Sequence, residues 1–235
     1  MRKGKSFEGA RLKAKRTRLG ARWCLPFYLT RPAVPVPVPD RRADHNKRGE
    51  NVTSSETAVL VLPGYMDSGP GDWQTRWEAA HAGFARVQMP DWMHPDCEAW
   101  CAALEDAVQR APPGLRLAAH SLGCLTVAHW AARHASAATR AKVAGALLVA
   151  LPDPHGPEFP REARGFDPVP LAALPFASVV VASSDDPYGG VAFSERCALA
   201  WGSRWFDIGA RGHINAESRL NDWPQGIDWL MSTGK

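Results

Sequence analysis

A serine hydroxyl attacks a carbonyl only when a base lies within hydrogen-bond reach and a third group fixes that base's tautomer. Three segments of this chain offer those parts in order. Leu115-Arg116-Leu117-Ala118-Ala119 runs into His120-Ser121-Leu122-Gly123-Cys124 and then a helix-length stretch. That is the strand–turn–helix setting in which a nucleophile is exposed on a tight elbow. The turn needs small residues two before and two after the serine, where Ala119 and Gly123 stand. Gly is usual at the first of these, so Ala119 is a departure, and one the sterics tolerate. As a competing reading, Ser121 would merely cap the helix.

The acid is expected after a later strand, in Ser183-Ser184-Asp185-Asp186-Pro187. Of its two aspartates, Asp186 is preferred because the turn Pro187-Tyr188-Gly189-Gly190 follows at once, which leaves Asp185 as a solvated turn residue. The base is expected in Gly209-Ala210-Arg211-Gly212-His213-Ile214-Asn215, where His213 follows the last predicted strand. The other histidines are less well placed. His45 lies in the basic N-terminal segment, His81, His129 and His134 on predicted helices, and His94 and His155 in Pro-rich loops. His120 adjoins Ser121, but neighbouring side chains diverge at an elbow, so it is assigned to packing. Two backbone N–H groups should face the developing oxyanion: that of Leu122, at the helix start, and that of Tyr65 in Leu62-Pro63-Gly64-Tyr65-Met66, after the first predicted strand. This loop cannot be a phosphate cradle, since it lacks G-x-G-x-x-G and no Lys-Ser/Thr pair follows.

These residues require a scaffold that delivers loops to one edge. Short β-branched or apolar runs at 57–62, 84–89, 115–119, 143–151, 177–183 and 204–208 alternate with helix-length stretches at 73–82, 96–110, 122–134, 192–201 and 224–231. Such alternation predicts an α/β three-layer sandwich: a mostly parallel sheet of about six strands, with its site beyond the C-terminal strand ends. The interval 152–176, where related architectures insert a lid, holds 25 residues rich in Pro, so the lid is minimal and the pocket open or weakly covered.

Composition sets the remaining bounds. The chain of 235 residues is 45% apolar, enough for one sizeable core. Its net charge of +4 is uneven: residues 1–50 hold 14 Lys/Arg against 4 Asp/Glu, and the rest 14 against 20. Residues 1–55 therefore read as a disordered basic and Pro-rich extension, and 56–235 as the catalytic domain, for which no nucleic-acid partner is expected. Five cysteines without paired spacing argue against a disulfide framework and for a reducing, cytoplasmic setting. Cys97 and Cys101 sit one helical turn apart without a further pair to complete a four-ligand set, so neither a metal nor another cofactor is expected. No apolar run is long enough to span a membrane.

Beyond the candidate triad, the elements Val61-Leu62-Pro63-Gly64-Tyr65, Ser68-Gly69-Pro70-Gly71-Asp72-Trp73-Gln74, Pro90-Asp91-Trp92, Ala119-His120-Ser121-Leu122-Gly123, Ser184-Asp185-Asp186-Pro187-Tyr188 and Gly212-His213-Ile214-Asn215 resemble the small serine hydrolases of the retinoblastoma-binding protein 9 and YdeN type. The resemblance covers about residues 57–232. It implies an α/β-hydrolase fold without that fold's first two strands, and a triad of Ser121, Asp186 and His213. Retinoblastoma binding is not implied, because Leu122-Gly123-Cys124-Leu125-Thr126 lacks the Glu of L-x-C-x-E.

The chemistry so read is cleavage of a small carboxylic ester or thioester through an acyl-enzyme, with Trp73 and Trp92 expected to line the substrate pocket. A serine peptidase or amidase would use the same triad. A non-catalytic interaction protein on the same fold is the alternative of a different class. Oligomeric state is not legible.

Overall fold

The computed structural model describes residues 58–234. The extension expected over 1–55 lies outside them. Six strands form one sheet: β1 Val59–Leu62, β2 Phe84–Arg86, β3 Leu115–His120, β4 Val143–Val149, β5 Ala177–Ala182 and β6 Arg204–Asp207. Their order is β2-β1-β3-β4-β5-β6 and every pairing is parallel. Parallel neighbours need crossovers, supplied by helices α1 Trp73–Ala80, α2 Cys97–Arg110, α3 Leu122–His129, α4 Ala137–Lys142, α5 Val191–Trp201 and α6 Pro224–Ser232.

Alternation along the strands divides the core in two. Leu60, Leu62, Leu117, Ala119, Leu148 and Val180 face α2, α3 and α5, whereas Val59, Val61, Ala118, Leu147, Val149 and Val181 face α1 and α6. Because both faces are covered, β4 and β5 read as almost unbroken apolar runs. The chain leaves β1 for β2 on one side and returns through β3 on the other. The sheet therefore changes direction between β1 and β3, and a crevice opens beyond their C-terminal ends.

Two features depart from the sequence reading. The single helix expected over 122–134 becomes α3 followed by a wider π turn, Trp130–His134, in which the Ala135 N–H reaches the Trp130 carbonyl. Helix α4 was not anticipated; it is six residues long, begun by Ser136, whose Oγ accepts the Thr139 N–H at 3.1 Å. The interval 152–176 holds neither helix nor strand. It is pinned to the body, with Arg164 exchanging backbone hydrogen bonds with Pro95 and Cys97, and Phe166 buried against Trp100.

Candidate active site

Ser121 sits between β3 and α3 at φ 54°, ψ −125°. Few residues other than Gly adopt such a conformation, and it costs about 1–3 kcal/mol. Close packing around the elbow holds it there. A Cβ on Gly123 would lie 2.3 Å from the Leu62 carbonyl oxygen, and one on Gly64 would lie 2.6 Å from Ser121 Cβ. Glycines at these two positions thus let the loop after β1 pass directly over the elbow. The Ser121 side chain makes no capping bond to α3, so the capping reading fails. Its Oγ lies 2.9 Å from His213 Nε2 instead.

Asp186 completes the line. Both its carboxylate oxygens accept from His213 Nδ1, at 2.9 and 3.0 Å, and its side chain is only 1% exposed. With Nδ1–H donated to the carboxylate, Nε2 is left unprotonated and faces the serine hydroxyl, the tautomer a base requires. The three predicted residues thus meet in space, and of the two adjacent aspartates it is Asp186 that touches the imidazole.

His213 lies on a loop with left-handed turns at Gly209, Gly212 and Ile214, which is fastened at one residue after another. The Arg211 N–H donates to Ser183 Oγ (2.9 Å) and that of Gly212 to Asp185 Oδ1 (2.6 Å). The His213 carbonyl accepts from His120 Nε2 (2.8 Å), and that of Ile214 from Trp73 Nε1 (3.1 Å). The Ala216 N–H donates to Asp72 Oδ1 (2.7 Å). Asp185 is the exposed turn residue expected, and it also serves as a tether. The Gly212 N–H and the Ser183 hydroxyl hold its carboxyl below the usual carboxylate range. Burial, with repulsion from His213 whenever that ring is protonated, pushes the His120 pKa down to about 3, so its ring stays neutral with Nε2–H as a permanent donor. Sequence reasoning missed these supports, although the Gly-Asp-Trp spacing that provides two of them was visible.

The loop after β1 turns through left-handed Met66 and Asp67. Arg86 on β2 grips it, donating to Asp67 Oδ1 (2.8 Å), the Ser68 carbonyl (3.2 Å) and Thr75 Oγ1 (2.7 Å). The Met66 and Asp67 amides are engaged by Trp92 and Gly64 carbonyls. Among the described residues, the Tyr65 and Leu122 amides have no protein acceptor, as oxyanion donors require. Between this loop and the triad lies a cleft of about 190 Å³, lined by Tyr65, Ser68, Gln74, Ser121, Tyr188 and His213 among others. Pro160 is all that the 152–176 interval contributes to it.

Trp73 and Trp92 do not line this cleft. Trp73 is 1% exposed and packs edge-on against Trp77 and Trp223, its N–H spent on Ile214. Trp92 packs on Trp100, and its carbonyl accepts the Met66 N–H of the loop. Cys97 and Cys101 are buried with sulfurs 4.0 Å apart, and Cys101 also approaches the Thr126 carbonyl.

Comparison with known proteins supports the same reading. The chain is 26% identical to a YdeN-like hydrolase from Pectobacterium atrosepticum, with a TM-score of 0.64 over 74% of this chain and 88% of that one. The ydeN product of B. subtilis (21% identity, TM-score 0.57, 75% and 97% covered) and an esterase from Rhodococcus sp. (15%, 0.54, 76% and 92%) share the α/β-hydrolase fold. No curated protein matched. The profile of the serine hydrolase family matches residues 59–232, nearly all of the described structure. The chain belongs to that family, and is an enzyme.

Proposed function

We propose that the protein cleaves small carboxylic esters or thioesters through an acyl-enzyme, with Ser121 as nucleophile, His213 as general base and Asp186 as the orienting acid. The observation that carries this is the continuous hydrogen-bonded line Asp186–His213–Ser121, with both its links near 2.9 Å and its serine on a strained elbow. Ser121 Oγ adds to the carbonyl carbon as its proton passes to His213 Nε2. The oxyanion is held by the Tyr65 and Leu122 amides, each worth about 10²–10³ in rate. His213 then protonates the leaving alkoxide or thiolate as the tetrahedral intermediate collapses. Water, deprotonated by the same imidazole, releases the acid and restores the serine.

The size of the cleft supports a small substrate, since drug-sized ligands occupy about 300–1,000 Å³. We place the reaction in a reducing compartment such as the cytoplasm, because Cys97, Cys101, Cys124 and Cys197 are all unpaired thiols. Among the described residues no helix is long and apolar enough to cross a membrane. The test is labelling by a fluorophosphonate probe together with p-nitrophenyl acetate hydrolysis. Wild type should label and turn over, while Ser121→Ala and His213→Ala should lose about 10⁴-fold or more in kcat. A folded wild type that neither labels nor hydrolyses any ester overturns the assignment.

A further inference from the structure

Gln74 is the second residue of α1, is 1% exposed, and lines the same cleft as Ser121 and His213. Its carboxamide makes no side-chain hydrogen bond to any described residue, and Oε1 is a fully buried acceptor without a partner. Buried polar groups are almost always paired, so an orphan carboxamide on the wall of a reaction cleft calls for a ligand. Several polar side chains of the same lining are already committed. Asp67 is held by Arg86, Asp72 by the Gly69 and Ala216 amides, His120 by the His213 carbonyl, and Asn215 Oδ1 by the Glu217 amide. The lining carries the Asp67 and Asp72 carboxylates and neither Lys nor Arg, so an anionic substrate finds no counter-charge there.

Resting on the triad assignment, we propose that Gln74 is the specificity-determining residue of this site. Its carboxamide, a donor and an acceptor side by side, pairs with a neutral hydrogen-bonding group such as an amide or hydroxyl close to the scissile carbonyl. The preferred substrates are small, polar and uncharged esters, ahead of hydrocarbon or anionic ones. A site built to hydrogen-bond its substrate discriminates strongly against the analogue lacking the group, because the protein's own polar atoms are then left buried and unpaired.

The test uses three p-nitrophenyl esters of matched shape: succinamate, with a terminal amide, 4-methylpentanoate, its apolar counterpart, and hemisuccinate, its anionic one. Rates are corrected for uncatalysed hydrolysis. For wild type, kcat/KM on succinamate should exceed that on 4-methylpentanoate by about tenfold or more, with hemisuccinate slower still. In Gln74→Met, similar in length and apolar, the succinamate to 4-methylpentanoate ratio should fall at least tenfold. The ratio is taken within one preparation, so it does not depend on how much of the variant is folded. Should Gln74→Met yield no folded protein, Gln74→Glu serves instead, and its added carboxylate should depress hemisuccinate further relative to 4-methylpentanoate. A wild type without the preference, or a variant that keeps it, overturns the role of Gln74 while fluorophosphonate labelling and turnover leave the triad standing. A wild type that neither labels nor turns over removes both.

Discussion

Gly123→Ala tests how the elbow and the loop above it share one narrow contact. The added methyl would stand 2.3 Å from the Leu62 carbonyl oxygen and 2.8 Å from that of Pro63, both backbone atoms at the end of β1. Ordinary van der Waals contact begins at 3.4 Å, so the elbow and the β1 loop must part by about 1 Å. Overpacking of this kind costs about 1–3 kcal/mol, or about 2–12 °C in Tm for a domain of this size. The cost to catalysis should be larger, because the two proposed oxyanion donors lie on opposite sides of that contact: Leu122 belongs to the elbow and Tyr65 to the loop. Misplacement by about 1 Å costs about 10²-fold in rate. We expect kcat for p-nitrophenyl acetate to fall about 10²-fold with KM little changed, and circular dichroism to report an intact fold. A folded variant whose kcat stays within threefold of wild type would refute the placement of the donors.

Further outcomes follow from the neighbouring geometry. Asp186→Asn should cost about 10⁴ in kcat by releasing the tautomer of His213, whereas Asp185→Asn, which only loosens the Gly212 tether, should cost about tenfold; steady-state kinetics on both variants separates the two aspartates. His120 is fully buried and titrates far below an unfolded histidine. Between about pH 6.5 and 3 the unfolded chain therefore binds a proton that the folded chain refuses, and stability falls on acidification by up to about 1.4 kcal/mol per pH unit from this group. Urea melts from pH 7 down to pH 5 should show that loss, with a shallower slope in His120→Gln.

Ser121, His213 and Asp186 were legible because each is announced by backbone chemistry: a small-residue turn after an apolar strand, a Gly-rich loop after the last strand, a Pro-Tyr-Gly-Gly turn after the acid. The sheet was legible because strands buried on both faces are written as apolar runs. Trp73 was expected in the cleft, where its neighbour Gln74 stands instead. They are consecutive on the first turn of α1, and which of them faces the core depends on how α1 lies across β1 and β2, a tertiary fact that sequence spacing does not carry. The supports of the His213 loop come from residues as far as 144 positions away in the chain, and each is a single hydrogen bond, which leaves no periodic trace. Helix α4 has too few turns to show a period, and a π turn keeps the apolar pattern of the helix it extends.

The fastening of residues 152–176 through Arg164 and Phe166 bears on the fate of the acyl group. Among the described residues only Pro160 of this interval reaches the cleft, so the acyl-enzyme proposed at Ser121 would stand open to bulk water. Which acceptor takes the acyl group would then turn on its concentration and nucleophilicity rather than on a sealed compartment. Water, the most abundant acceptor, would have free access to that intermediate, so hydrolysis is the expected end of the proposed cycle.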